Sequence, residues 1–95
     1  MPIASIVVPV FNAVDELRDT MASLFSQTYI DYEIIVVDDG SNDGTATLLR
    51  EYVNDPEVRV ITQRNRGPAG ALNSGIAAAR GKFIGFFQCR RYLAA

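Results

Sequence analysis

The sequence predicts one small α/β domain with a parallel sheet between helical layers, and three observations carry that reading. Short β-branched apolar runs alternate with segments of helical periodicity along the chain. No linker, repeat or low-complexity tract interrupts the alternation. The most apolar run, Ile34-Ile35-Val36-Val37, has no polar alternation, as a strand covered on both faces requires, and Asp38 and Asp39 stand where it ends.

Residues 3–9 carry Ile6, Val7 and Val8 and read as the first strand, stopped by Pro9. Phe11 and Asn12 form a short loop, with Asn12 placed to cap the first helix. Val14, Leu17, Met21, Leu24 and Phe25 recur at helical spacing, which predicts that helix over 13–26 with its apolar stripe on the sheet. After a connection, 33–37 is the second strand. Gly40 permits a sharp turn, and Asn42 or Asp43 caps a helix from near Gly44 that carries Leu48, Leu49, Tyr52 and Val53 on one face. Asn54, Asp55 and Pro56 end it, and 58–62 is the third strand. A polar loop over 63–68 leads to a small-residue helix over 69–79 with Leu72 and Ile76 inward, ended by Gly81. Residues 82–87 form the fourth strand.

Right-handed crossovers that wind outward to strand three and then return place strand four beside strand one, in the order 3-2-1-4. The order reverses between strands one and four. A crevice there is expected to be lined by 9–12, by 38–40 and by the residues after Phe87.

Composition excludes several functions. Apolar residues are 48% of the 95, which is globular, and a net charge of -2 offers nothing to nucleic acid or an anionic membrane. The apolar runs are strand-length, too short to span a bilayer, and MPIASIVVPVFN lacks the basic start and cleavage site of a signal peptide. A single cysteine, Cys89, forms no internal disulfide and fits a reducing cytoplasm. The absence of histidine removes the usual general base and the usual zinc ligand.

A carboxylate pair at a strand end can hold a cation, accept hydrogen bonds from a base or ribose, or transfer protons. Neighbours on a strand point to opposite faces, so Asp38 and Asp39 favour hydrogen bonding to a ligand over a shared metal cage. The same residues equally suit plain turn and cap duty. PVFNAV after the first strand is not a glycine-rich dinucleotide turn, and no P-loop is present. The glycines at 67 and 70 either offer N–H groups to an anion or simply make a loop. Arg64 and Arg66, beside them, are either solvated or reach a phosphate.

SIVVPVFN, then SLFSQTYIDYEIIVVDDGSNDGT, then RNRGPAGALNSGIAAARGKFIGFF, in that order over about residues 3–87, strongly resemble the start of family 2 glycosyltransferases. The resemblance implies a Rossmann-like, three-layer GT-A half-domain over 1–87, with 88–95 an atypical tail. It implies inverting transfer from a nucleotide-sugar, with a UDP-sugar the expected donor. Pro9, Val10 and Phe11 are then expected to shape the base pocket, with Asn12 beneath the donor. Asp39 is expected to hydrogen-bond the base, supported by Asp38 and Gly40, and Arg66 to lie near the base, ribose and diphosphate.

The pattern then breaks. Family members place a D-x-D motif that binds ribose and metal after the fourth strand, but here QCRRYLAA stands there and no carboxylate occurs after Glu57. That change reads as a truncated or frameshifted frame. The expectation is a fragment with no catalytic or metal-binding residues of its own, inactive alone, where the complete family enzyme uses Mg2+ or Mn2+. A non-catalytic nucleoside-diphosphate-binding module or an inert remnant is the alternative, and a receiver-like phosphoacceptor ranks below both. A bare fourth strand also predicts a homodimer through the 82–87 edge. The expected location is the cytoplasm, its inner membrane face included.

Overall fold

The computed structural model describes residues 2–26 and 31–87. In chain order these form β1 (Ala4–Val10), α1 (Val14–Phe25), β2 (Tyr32–Asp38), α2 (Thr45–Leu49) with a 3₁₀ turn over Arg50–Tyr52, β3 (Val58–Thr62), α3 (Gly67–Ala78) and β4 (Phe83–Phe86). The strands make one parallel sheet in the order β3-β2-β1-β4, as the alternation predicts. The atypical tail, 88–95, lies outside the described residues.

The strand β1 does not stop at Pro9. It continues to Val10, and Pro9 pairs with Val37. The carbonyls of Ile3 and Val7 accept the N–H groups of Phe83 and Phe87, so odd-numbered residues of β1 turn their backbone toward β4. The N–H that proline lacks therefore falls beyond the last β1–β4 pair among the described residues, Val7 with Phe86.

The two faces of the sheet bury different cores. Val8, Val10, Ile34 and Val36 meet Leu17, Met21 and Leu24 of α1 and Leu48 and Leu49 of α2. Val7, Ile35 and Val37 meet α3 through Ala71. Each large aliphatic side chain enclosed this way contributes about 1.5–3 kcal/mol.

The third helix is turned differently from the expectation. Ala71 and Gly75, one turn apart, face the sheet, whereas Leu72 is half-buried and Ile76 is exposed. A Cβ on Gly75 would stand 2.2 Å from Val7 Cγ1, so the helix seats closer than any larger residue there would allow. Pro68 belongs to its first turn, where a missing N–H costs nothing. The second helix also departs from expectation, because it tightens after Leu49 and leaves Val53 exposed.

Candidate functional site

The loops after β1, β2 and β3 meet at the carboxyl edge of the sheet. Asn12 adopts a left-handed backbone with φ 49°, which asparagine tolerates. It does not cap α1, whose N-cap is Ala13. Instead its N–H donates to Ser41 Oγ at 2.9 Å and its Oδ1 accepts the N–H of Asn42 at 2.8 Å, lacing the first loop to the second. Asp43 does the capping for two helices, accepting the N–H of Val14 on Oδ2 and the N–H and hydroxyl of Thr45 on Oδ1. Burial raises the Asp43 pKa, but those donors outweigh it and hold the carboxyl below its ordinary value.

Gly40 joins the second loop to the third. Its φ is +87°, and a Cβ there would lie 3.0 Å from the backbone nitrogen of Asn65. The turn thus needs glycine both for its left-handed backbone and for its closeness to the next loop.

The two adjacent carboxylates point to opposite faces, as strand alternation requires. Asp38 shares the α1–α2 side with Val36, and its Oδ1 accepts the N–H of Ser41 at 3.0 Å. A cavity of about 270 Å3 opens beside it along the β3 edge, bounded by Leu49, Arg50, Val60 and Thr62 among others. It is not the crevice expected between β1 and β4, since none of residues 9–12 lines it. The part of that crevice formed after Phe87 lies outside the described residues.

Asp39 lies on the α3 side and is completely buried. Its Oδ1 accepts Gln63 Nε2 and the Arg66 N–H, each at 2.9 Å, and its Oδ2 accepts the Gly67 N–H at 3.0 Å. Burying a carboxyl group this deeply is tolerable because these donors satisfy its oxygens. They come from the end of β3 and the start of α3, so one side chain fixes the whole third loop.

The expected site residues therefore separate by depth. Pro9, Val10, Asp38 and Asp39 are buried, Phe11 and Asn12 are half-buried, and Gly40 and Arg66 are exposed. Sequence reasoning missed Ser41 and Gln63, polar residues in polar loops, and Ser74, a hydroxyl in a helix of mostly Ala and Gly, none with a local signal.

A divalent cation does not fit the described residues. The two carboxylates diverge, Asp39 already receives three N–H groups, and among the described residues no three His, Cys, Asp or Glu side chains converge. No helix among those residues is long and apolar enough to cross a membrane.

The family model for glycosyl transferase family 2 matches residues 5–88. The chain belongs to that family. Among its relatives, an uncharacterized glycosyltransferase of Escherichia coli, YibD, is 41% identical over 83 residues, covering 86% of this chain and 24% of that protein. Another, EpsJ of Bacillus subtilis, is 40% identical over 94 residues, covering 98% of this chain and 27% of that protein. Among solved structures, S. aureus TarS 1-349 in complex with UDP-GlcNAc superposes with a TM-score of 0.83 at 28% identity, over 94% of this chain and 26% of that one. The mannosyltransferase PcManGT of Pyrobaculum calidifontis, in complex with GDP-Man and Mn2+, gives 0.79 at 28% identity, over 87% of this chain and 26% of that one. This family 2 chain spans about a quarter of the length of these relatives.

Proposed function

We propose that this chain binds the nucleotide part of a nucleotide-sugar donor, a UDP-sugar first, at the carboxyl ends of its strands. The observation that carries the reading is the lacing of three loops at that edge, through Asn12 with Ser41 and Asn42, and through Asp39 with Gln63, Arg66 and Gly67. A preformed wall of this kind lets a ligand bind without first ordering the loops. The UDP-GlcNAc complex of TarS supports the choice of ligand.

In this reading Phe11, Gly40 and Arg66 face the donor and Asn12 shapes the turn beneath it. Pro9, Val10, Asp38 and Asp39 are the buried wall behind them. Enclosed as it is, Asp39 serves the base through the loop it holds and not through an open contact. The guanidinium of Arg66 supplies the positive charge for the diphosphate.

Transfer of the sugar needs a group to take the acceptor proton, and the 95 residues contain no histidine and no carboxylate after Glu57. The proposal is accordingly binding without turnover by this chain alone, the reaction belonging to a complete family enzyme that uses Mg2+ or Mn2+. Calorimetric titration with UDP tests it, with a Kd expected between about 10 μM and 1 mM. Absence of binding leaves the inert-remnant reading instead. Sugar release or transfer from UDP-GlcNAc in the presence of Mn2+ overturns the non-catalytic part.

A second copy of the chain is proposed as the partner of β4. Phe83, Ile84 and Phe86 of this edge strand and Phe87 just after it are exposed, and two such edges pair across a two-fold axis.

A further inference from the structure

Asp39 holds the third loop, but its own orientation is held from elsewhere. Gln63 reaches it from the end of β3, where the Gln63 backbone N–H donates to Asp38 O at 3.0 Å. The Gln63 amide spans two partners: Nε2 donates to Asp39 Oδ1 at 2.9 Å, and Oε1 accepts the Ser74 hydroxyl at 2.6 Å. The reverse amide orientation would set a carbonyl oxygen against a carboxylate oxygen, so the network admits one arrangement. Ser74 lies in the body of α3, and its hydroxyl also lies 3.1 Å from Gly70 O, one turn back. A hydroxyl has one proton to give, and only the longer contact remains to it once Gln63 is removed.

We propose that Gln63 and Ser74 are positioning residues of the donor site: the hydroxyl fixes the amide, the amide fixes the Asp39 carboxylate, and the carboxylate fixes the backbone that presents Arg66. The proposal rests on the nucleotide-binding reading for its functional part. Its physical basis is that Oδ1 carries two of the three hydrogen bonds named above. Without the amide Oδ1 loses one of its donors, the carboxylate is less constrained about its last torsion, and its alignment with the N–H groups of Arg66 and Gly67 loosens. The hydrogen-bonded route from the Ser74 hydroxyl to Arg66 runs through Gln63 and Asp39.

Two measurements on Gln63→Leu, Ser74→Ala and Ser74→Thr test this. Amide hydrogen exchange, read by NMR without ligand, is expected to quicken about tenfold at Arg66 and Gly67 in the first two variants and to stay slow at Val36 in the sheet. Ser74→Thr keeps the hydroxyl and is expected to exchange as the unaltered chain does. UDP affinity is expected to fall about tenfold in the first two and to be retained in the third. Unchanged exchange at Arg66 and Gly67 in Ser74→Ala overturns the positioning chain whatever the titration gives. Quicker exchange with unaltered UDP affinity overturns its link to the donor. If the unaltered chain binds no UDP, the nucleotide reading falls and takes that link with it, while the exchange data still decide the positioning chain.

Discussion

The backbone N–H of Arg80 donates to Glu33 Oε2 at 2.8 Å, joining positions 47 residues apart at the end of the sheet away from the candidate site. Ser5 Oγ donates to the same oxygen at 2.6 Å and accepts the Gly81 N–H, while the Arg59 and Arg80 side chains reach Oε1. Glu33 is buried, and through it the α3–β4 connection is pinned to β1 and β2. Burial raises its pKa, but the donors prevail and bring it from 4.5 to about 2. A lowered folded-state pKa means stability that is complete above the unfolded value and lost as pH falls from about 4.5 toward 2. With both arginines partly solvated, about 2–3 kcal/mol is the expected size. Urea denaturation of Glu33→Gln should show that deficit near neutral pH and a closing gap in acid. A gap that does not change with pH refutes the account.

Gly75 makes a sharper packing prediction. A methyl there meets Val7, fully buried in β1, at less than van der Waals separation. Gly75→Ala should cost about 1–3 kcal/mol by lifting α3, despite the gain in helix propensity. Adding Val7→Ala removes the struck atoms, so the double variant should cost less than the sum of the singles. Chemical denaturation of all three variants checks this, and simple additivity would exclude the clash.

These two sites show how much was legible in the sequence. The parallel order 3-2-1-4 could be read because Ile34–Val37 and the spacing of Leu17, Met21 and Leu24 each carry their own periodicity. The facing of α3 could not be. Its apolar residues are mostly Ala and Gly, and which side meets the sheet depends on how closely the backbones approach, a tertiary quantity. Pro9 misled because a proline ends a strand only where its missing N–H is needed, and that depends on how far β4 extends. At the site, Asp38 and Asp39 stood out by their place after an apolar run. Their opposite orientations could be read from alternation. The donors described for Asp39, the backbone N–H groups of Arg66 and Gly67 and the amide of Gln63, bear no mark in the sequence.

Asp43 offers a test of the loops without touching the proposed donor contacts. Its carboxylate caps the starts of α1 and α2 together, through Val14 and Thr45. Asp43→Ala should cost about 1–2 kcal/mol, seen as a fall in Tm of about 4–8 °C for each kcal/mol in a domain this small. Asp43→Asn keeps an acceptor and should recover most of the loss near neutral pH. Because the folded-state pKa is lowered, the carboxylate's advantage over Asn should be full at neutral pH and fade as pH falls below the ordinary value of 3.8. Equal Tm values for Asp43→Ala and the unaltered chain would remove the double cap.

The edge of the sheet gives the last test. Phe83 is 66% exposed and Phe86 52%, on opposite faces of β4 by strand alternation, so a helix laid on one face would cover only one of them. A second β4 lying alongside the edge contacts both and also pairs with its backbone groups. Sedimentation velocity at about 100 μM is therefore expected to show a dimer that dissociates on dilution. Phe83→Glu places a like charge from each copy near the shared edge and should shift the equilibrium to monomer. Because that side chain is already mostly solvated, the change should leave the urea midpoint of the isolated chain nearly untouched. A monomer at every concentration in the unaltered chain overturns the self-pairing of β4, and a dimer that survives Phe83→Glu places the contact elsewhere.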